Sequence, residues 1–349
     1  MTKGKLTYPE IGQQAEAMAA AWEQLAKQQN WVQKYFGNAD YDEVIFIGSG
    51  SSYYQAQTMA ATFRYWLARP ANALPSSDIF LFRDQSTAAT GKKLLVGVSR
   101  SGESTEVILA IDSVKNLDNW DTCGITCYEE SSMAKQTECL VSPLGKEKST
   151  VMTKSFVSMT FMMQAAIAAV ANGSFSKEMK TVLDQAGAKI AEADAFAKNI
   201  IVNNDFIKTI YLGMGSYFGI AQEACLKLKE MSYTWTESYG TLEFRHGPKS
   251  IIEPGSLVVL LLSETARSYE LKVAEEMKAY GAYVLIITAR AGEDTAFADA
   301  VFEIGASDVS DEARAVMYLP LLQYIGFWTA VHKDIDPDEP RNLTQVVKI

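Results

Sequence analysis

The sequence predicts an α/β protein with two tandem three-layer αβα subdomains, each built around a parallel β-sheet, and three observations support this prediction. First, an apolar run that ends in glycines, Asp42–Ser52, is repeated as Lys208–Ser216. Gly48 in the first copy matches Gly213 in the second. Second, a helix-like stretch follows each copy. Third, further apolar runs in both halves are followed by Gly or Ser and alternate with helical patterns, which is typical of parallel βαβ units.

The other elements follow in the same order in each half. The matched segments of the first and second halves are the helices Tyr54–Leu67 and Gly219–Tyr233, the strands Lys93–Val98 and Ser256–Leu262, and the strands Thr122–Thr126 and Tyr283–Thr288. We therefore expect a helical N-terminal lead over residues 1–40, a first domain over residues 41–195, and a second domain with a C-terminal tail over residues 196–349. The boundary is predicted near Ala193–Asn204. The longest apolar run, Phe156–Ala171, is too short and too polar to span a bilayer and is predicted to be a buried helix.

Composition limits the classes of function. The chain has 349 residues, 48% of them hydrophobic, and a formal net charge of −10. An acidic protein is repelled by nucleic acid and by anionic membranes, so neither is an expected partner. Four cysteines do not form a disulfide framework, and with only two histidines a zinc site is not expected. The N-terminus has no apolar core typical of a signal peptide, so a cytoplasmic protein is predicted.

Two loops of the first half favour a phosphate ligand. The segments Gly48–Ser52 and Ser99–Thr105 follow predicted strands and are rich in glycine and hydroxyl residues. Small residues let the backbone approach a ligand, and the following helix presents its positive end to an anion. Tyr53 breaks a GxGxxG pattern and no Walker sequence is present, which disfavours a dinucleotide or a nucleoside triphosphate. The alternative is that these residues serve only as turns and N-caps.

The second half has fewer hydroxyls at its strand ends but carries the residues suited to catalysis. Glu223, Lys227 and Glu230 are spaced to share one face of a helix. An exposed ladder of ion pairs is the alternative interpretation of that spacing. His246 lies in a loop beside Gly-Pro, where a histidine can perform acid/base chemistry near neutral pH. His332 follows an apolar helix and is interpreted as structural.

Several motifs together resemble those of tandem sugar isomerase (SIS) domain proteins. These are Gly50–Ser52, Ser99–Ser104, Glu147 with Thr153–Phe156, Leu226–Ser232, Glu243–Pro248 and Pro340–Leu343. The set is most similar to the isomerase half of glucosamine-6-phosphate synthase and to the related phosphosugar isomerases, amino-sugar-phosphate deaminases and fructosamine-phosphate deglycases. The resemblance extends over residues 40 to 349.

The resemblance implies a role for each matching residue. Substrate and phosphate binding would involve Ser51, Ser52, Ser99, Arg100, Ser101, Ser104, Thr150, Arg341 and Gln345, with Arg100 acting through its backbone. Glu230 would be the base that moves a proton between C1 and C2, with Lys227 near it. His246 would assist ring opening and would reach the site from a neighbouring subunit, which implies a homodimer with shared active sites. No cofactor or metal is implied.

Two departures from the synthase pattern affect the expected reaction. Nothing resembling its amidotransferase domain precedes the repeat, so glutamine-dependent synthesis is not expected. The synthase has a lysine four residues after the tail arginine, where it forms an imine with the keto sugar. Here Gln345 stands at that position and cannot form an imine, and Lys348 lies three residues further on.

The expected protein is therefore an enzyme that acts on an amino sugar 6-phosphate or a fructosamine 6-phosphate, by isomerisation with release of the amine. A plain aldose–ketose isomerase of hexose 6-phosphates is the nearest alternative. A non-catalytic sugar-phosphate sensor is the alternative from another class, and it would need the serines but neither Glu230 nor His246.

Overall fold

The computed structural model describes residues 3–347 and has ten β-strands in that range, arranged in two sheets. The first sheet contains β1 (Glu43–Gly48), β2 (Ala71–Pro75), β3 (Lys93–Val98), β4 (Trp120–Thr126) and β5 (Cys139–Val141), in the order β2-β1-β3-β4-β5. The second contains β6 (Lys208–Leu212), β7 (Thr236–Tyr239), β8 (Ser256–Leu261), β9 (Tyr283–Thr288) and β10 (Ala300–Glu303), in the order β10-β9-β8-β6-β7. Every neighbouring pair is parallel, and the two orders correspond strand for strand. The predicted fold class is confirmed.

Helices connect the strands. In chain order they are α1 (Thr7–Gly12), α2 (Gln14–Ala26), α3 (Gln29–Tyr35), α4 (Ser51–Leu67), α5 (Ser76–Ser86), α6 (Thr105–Val114), α7 (Ser132–Gln136), α8 (Lys154–Val170), α9 (Phe175–Ala186), α10 (Ile190–Val202), α11 (Tyr217–Ser232), α12 (Arg267–Ala279), α13 (Asp311–Arg314) and α14 (Leu319–His332). None of the helices within residues 3–347 has both the length and the apolar character needed to cross a lipid bilayer.

The chain divides into two compact units, which we call the first and second units. Within the described residues, the first unit comprises Gln13–Lys148, Met152–Leu183 and residues 344–347. The second unit comprises residues 3–12, Ser149–Val151 and Asp184–Leu343.

Helix α8 forms the centre of the helical layer of the first unit. Fourteen of its residues are buried, and it packs against α2 and α4. Polar side chains in the interior of the helix are buried as well; for example, Gln164 donates a hydrogen bond to Thr62 on α4. The sequence prediction of a buried helix over this run is therefore confirmed.

Helix α14 has the same position in the second unit, where it packs against α1, α10 and α11. Gly326 lets α14 approach α11 closely, because a Cβ at this position would lie 3.0 Å from the Met231 Cε. The predicted lead before β1 is helical, and its first helix, α1, belongs to the second unit. There the Tyr8 ring packs against that of Phe327 at 5.1 Å between centroids, and Thr7 donates hydrogen bonds to Asp338.

Candidate functional site

Each unit makes a tight glycine turn between its first strand and the helix that follows. A Cβ on Gly48 would lie 2.3 Å from a backbone atom of α4, and one on Gly213 would lie 2.7 Å from a backbone atom of α11. The second glycine of each turn, Gly50 or Gly215, has a positive φ of 57° or 58°. Only glycine meets both demands without strain, and for this reason the repeat is visible in the sequence.

The first unit presents hydroxyl groups where β3 ends and α6 begins. We call residues Ser99–Ser104 the first loop. The Ser99 Oγ accepts a hydrogen bond of 3.1 Å from the Gly102 N–H and lies 3.1 Å from the Ser104 Oγ. The Ser101 Oγ accepts a hydrogen bond of 3.1 Å from the Glu103 N–H. A hydroxyl that accepts from the backbone keeps its own proton for donation, so these groups can donate to an anion at the N-terminus of α6.

Ser51 and Ser52 open the other strand-to-helix turn of the same unit, at the start of α4, and both are buried. Arg100 lies within the first loop, and its guanidinium donates a hydrogen bond of 3.0 Å to the Glu147 carboxylate. Both side chains are almost fully buried. The arginine charge is therefore balanced inside the protein.

In the second unit the loop that corresponds to the first loop is Ser263–Arg267, between β8 and α12, and we call it the second loop. Here the Ser263 Oγ accepts from the Ala266 N–H at 3.0 Å, as Ser99 does three residues before Gly102. The N–H groups of Glu264 and Thr265 both donate to the carboxylate of Asp311, at 3.0 Å each.

Further donors hold this carboxylate in place. The Asp311 oxygens also accept from the Thr265 Oγ1 at 2.8 Å, the Arg314 Nη1 at 2.8 Å and the Tyr217 OH at 3.1 Å. Burial raises the pKa of Asp311, but the hydrogen bonds from the second loop and the charge of Arg314 outweigh this effect, so its pKa lies below the usual value. The backbone donors of the second loop are occupied by an anion that belongs to the chain.

The structure places Glu223, Lys227 and Glu230 on one face of α11. The Lys227 Nζ lies 3.4 Å from the Glu223 Oε1 and is also paired with the Glu230 carboxylate. The side chains of Glu223 and Lys227 are 0% and 1% exposed, and that of Glu230 is 17% exposed. A solvent-exposed ladder, the alternative from the sequence, does not fit this burial. Glu230 is the member of the row that solvent or a ligand reaches.

The remaining predicted residues are distributed over both units. His246 is exposed, between the short 3-10 helices Glu243–Arg245 and Pro248–Ile251. The Arg341 N–H donates to the Tyr233 OH at 2.8 Å, and its guanidinium lies 4.1 Å from the centre of that ring. Tyr233 directly follows α11, so Arg341 lies near the end of the helix that carries Glu230.

Thr150 is half-buried in the second unit, whereas Gln345 belongs to the first. The Gln345 side-chain amide donates to the Lys148 carbonyl at 3.0 Å. Lys348 lies outside the described residues. No group of three or more His, Cys, Asp or Glu side chains that could hold a metal ion occurs in the described part of the chain.

Sequence reasoning missed two carboxylates that accept hydrogen bonds from these loops. Asp311 was not singled out, and Glu147 was noted only as part of a motif without a role. Each lies 47 residues from the loop residue to which it is hydrogen-bonded. A local pattern cannot report such a contact, and a covarying pair would have been the signal to look for.

The chain is similar to a known domain family and to known sequences and structures. The SIS domain matches residues 39–169 and 207–333. The glutamine–fructose-6-phosphate aminotransferase [isomerizing] of Brucella abortus biovar 1 (strain 9-941) is 28% identical over 325 residues, which cover 88% of this chain and 52% of the relative. The chain thus spans about half the length of the curated relatives it matches.

Two solved structures are similar over nearly the whole chain. The glucosamine-6-phosphate deaminase from Thermotoga maritima has 30% identity and a TM-score of 0.77, with 94% of this chain and 99% of that chain covered. The tagatose-6-phosphate ketose/aldose isomerase from Escherichia coli has a TM-score of 0.87 at 22% identity, with 96% and 95% covered. At that identity the second similarity concerns the fold alone.

Proposed function

The chain belongs to the SIS domain family, and we propose that it is an isomerase-type enzyme that acts on an amino sugar 6-phosphate or a fructosamine 6-phosphate and releases the amine. The observation that carries the proposal is the row of Glu223, Lys227 and Glu230, in which a buried ammonium holds a partly exposed carboxylate. Residues 41–195 would bind the phosphate, and residues 196–349 would supply the base.

The first unit suits the phosphate. The hydroxyls of Ser99, Ser101 and Ser104 stand at the N-terminus of α6, and those of Ser51 and Ser52 at the N-terminus of α4. Hydroxyl and backbone N–H donors at helix N-termini bind phosphate without a basic side chain. Because the Arg100 guanidinium is paired with Glu147, we propose that Arg100 meets the phosphate through its main chain.

Glu230 would move the proton. In the proposed reaction its carboxylate takes a proton from C1 or C2 of the open-chain sugar and returns it to the other carbon. The carbon that carries the amine becomes an imine, and water then hydrolyses the imine to a carbonyl and a free amine. General base catalysis of this kind needs one positioned carboxylate, and the contact with Lys227 fixes its position.

The identity of residue 345 supports a substrate that already carries nitrogen. An enzyme that opens a keto sugar through its own imine needs a lysine at this place in the tail, and here the residue is a glutamine whose amide donates to Lys148. A substrate amine can itself form the imine. The similarity to a glucosamine-6-phosphate deaminase at 30% identity points to the same class.

A substrate panel tests the proposal. The protein would be incubated with glucosamine 6-phosphate, fructosamine 6-phosphates, fructose 6-phosphate and tagatose 6-phosphate, with released amine and product sugar measured separately. We expect faster turnover on a 6-phosphate that bears an amine than on either neutral ketose phosphate. If the neutral ketoses turn over faster than every aminated sugar, the chain is a plain aldose–ketose isomerase, because an enediol route also needs no tail lysine.

A sensor would bind the same sugar phosphates without turnover, and Glu230→Gln would leave that binding unchanged. The buried ammonium beneath Glu230 argues against this role, since desolvating a charge is costly and a sensor would have no use for it.

We also propose that His246 serves the site of a second copy of this chain in a homodimer. Its exposure is compatible with this arrangement. Mixing Glu230→Gln and His246→Ala variants with subunit exchange should restore part of the activity, because one of the shared sites would then contain both residues. A monomer at assay concentration, or verified heterodimers without activity, would contradict the shared site.

A further inference from the structure

Glu147 lies at the centre of a buried hydrogen-bond cluster in the first unit. Its side chain is 0% exposed, although a lone carboxylate is among the groups most costly to bury. Its oxygens accept from the Thr153 N–H at 2.6 Å, the Thr153 Oγ1 at 2.8 Å, the Ser155 N–H at 3.0 Å, the Ser155 Oγ at 2.6 Å and the Arg100 Nη1 at 3.0 Å. A carboxylate has about four lone-pair sites, so these donors saturate it.

Four of these donors belong to the start of α8, a rigid and buried helix. The fifth, Arg100, belongs to the first loop and lies between Ser99 and Ser101. The Arg100 carbonyl is also fixed, because it accepts from the Thr126 Oγ1 at 3.1 Å and from the Cys127 N–H at 3.0 Å. Glu147 therefore links the middle of the first loop to the helical layer of the unit.

The ion pair is a poor candidate for a stability element. Replacing a buried pair by apolar residues is often neutral or stabilising, because desolvation offsets the Coulomb attraction. A pair with planar, directional hydrogen bonds does, however, fix geometry. The guanidinium points from the first loop to Glu147, which also keeps its charge away from an anion bound at the serines.

We infer that Glu147 is a positioning residue that, through Arg100, holds the hydroxyls and N–H groups of the first loop in the arrangement that binds the substrate phosphate. The inference rests on the proposed role of the first loop in phosphate binding. It assigns Glu147 no contact with the substrate. Its loss should weaken binding and leave the proton transfer at Glu230 intact.

The test compares two variants that break the same link from opposite ends. Glu147→Gln removes the charge, and Arg100→Gln removes the guanidinium while Glu147 keeps its four donors from α8. Inorganic phosphate and fructose 6-phosphate would be titrated calorimetrically, and KM and kcat measured on the best aminated sugar phosphate. Ser155→Ala is the matched control, because it removes one hydrogen bond from Glu147 on the α8 side and leaves the link to Arg100.

We expect each variant to raise the phosphate Kd and the KM about tenfold, the effect of one lost hydrogen bond to a charged group, with kcat within about twofold. The double variant should bind phosphate no more weakly than either single variant, because both substitutions break the same contact between Arg100 and Glu147. Ser155→Ala should lower the melting temperature without changing the phosphate Kd. If Glu147→Gln fails to fold, the phosphate Kd and the KM of Arg100→Gln decide whether the inference holds.

Three results would overturn the inference. Unchanged Kd values in Arg100→Gln, at a temperature where it is folded, would leave Glu147 a structural role only. Tighter phosphate binding in Glu147→Gln would mean that Glu147 merely withholds the charge of Arg100. Wild-type protein that binds neither inorganic phosphate nor fructose 6-phosphate would overturn the proposed function as well. If Ser101→Ala/Ser104→Ala loses binding while Glu147→Gln and Arg100→Gln keep it, the inference about Glu147 fails and the proposed function stands.

Discussion

The first and second loops occupy the same place in their units and differ in what satisfies their donors. Each follows the middle strand of a five-stranded sheet, β3 or β8, and precedes a helix, α6 or α12. In each, a serine hydroxyl accepts from a backbone N–H three residues later. The fold of the loop is thus common to both units.

The difference is the partner of the loop. In the first loop the serine hydroxyls bond to one another and to the loop backbone, at a helix N-terminus that attracts an anion. In the second loop the N–H groups of Glu264 and Thr265 donate to Asp311, whose carboxylate is held by Arg314. A duplicated anion cradle can serve a ligand in one copy and be filled by the chain's own carboxylate in the other, which leaves the second unit free for another task.

The largest expected effect concerns the proton transfer that we propose for Glu230 in the second unit. Glu230→Gln should lower kcat by about 10²–10⁴-fold, the usual contribution of a positioned general base, because the amide cannot accept the proton. Because the proposed phosphate site lies in the first unit, the Kd for fructose 6-phosphate should stay within about twofold of the wild-type value. Rapid-quench turnover and calorimetric titration measure the two quantities separately. Parallel losses in both would end the proposed division of labour between the units.

The next effect concerns stability. Asp311→Ala removes one partner of a buried ion pair, leaves the charge of Arg314 unbalanced and deprives the Glu264 and Thr265 N–H groups of their acceptor. It should therefore lower the free energy of unfolding by about 3–5 kcal/mol. Urea denaturation of the variant measures this loss. Because the emptied cradle retains its donors, inorganic phosphate should restore part of the lost stability.

Asp308→Ala is the matched control for this change, since Asp308 is an exposed aspartate three residues away. It should leave the free energy of unfolding unchanged, with no response to phosphate beyond that of the wild type. An Asp311→Ala variant as stable as Asp308→Ala would contradict the description of the second loop as an occupied anion cradle.

The two loops also show that the sequence predicts strands and turns but not the partners of buried charges. The strands β3 and β9 were predicted to the residue, because a buried parallel strand is a short apolar run bounded by turn residues. The two glycine turns were predicted because only glycine permits the strand-to-helix turn. Periodicity also placed Glu223, Lys227 and Glu230 on one face.

The closure of the second loop could not be predicted. From the sequence, the second loop differs from the first in having fewer hydroxyls and no glycine, and each loop contains one carboxylate, Glu103 or Glu264. The carboxylate that matters is Asp311, which local spacing does not connect with the loop. The same holds for Glu147 and Arg100, and for α1, which precedes the first sheet in sequence but packs on α14 of the second unit. Local patterns give elements and turns, whereas the partners of buried charges depend on tertiary contacts.

A smaller effect is expected at the first loop. Ser101→Ala with Ser104→Ala removes two hydroxyl donors, each worth roughly 1.5–3 kcal/mol when bonded to an anion. The affinity for sugar phosphate should fall by an order of magnitude or more in a calorimetric titration. The matched change in the second loop, Ser263→Ala with Thr265→Val, should leave this affinity unchanged and lower only the melting temperature. Equal losses of affinity from both pairs would mean that both loops meet the ligand.

The smallest effect is the pH dependence of stability, in which two buried carboxylates that accept hydrogen bonds from the second loop, Asp311 and Glu270, act in opposite directions. The pKa of Asp311 is lowered in the folded protein, so its contribution is complete above its usual value of 3.8 and is lost as the pH falls through the folded pKa. Glu270 accepts hydrogen bonds from Ser263 and Thr241, yet burial outweighs them and raises its pKa above 4.5. Protonation of Glu270 therefore favours the folded state as the pH approaches 4.5 from above.

Urea denaturation between pH 3 and pH 7 should show both signs. In Asp311→Asn the free energy of unfolding should be lower at neutral pH, and its decline below about pH 4 should be shallower than in the wild type, because the group that gains a proton there is absent. Glu270→Gln should keep the wild-type decline below about pH 4, since Asp311 is intact, and lose the relative gain near pH 5. An unchanged acid slope in Asp311→Asn would show that the second loop does not hold Asp311 as a carboxylate, and the contrast between the two loops would then rest on shape alone.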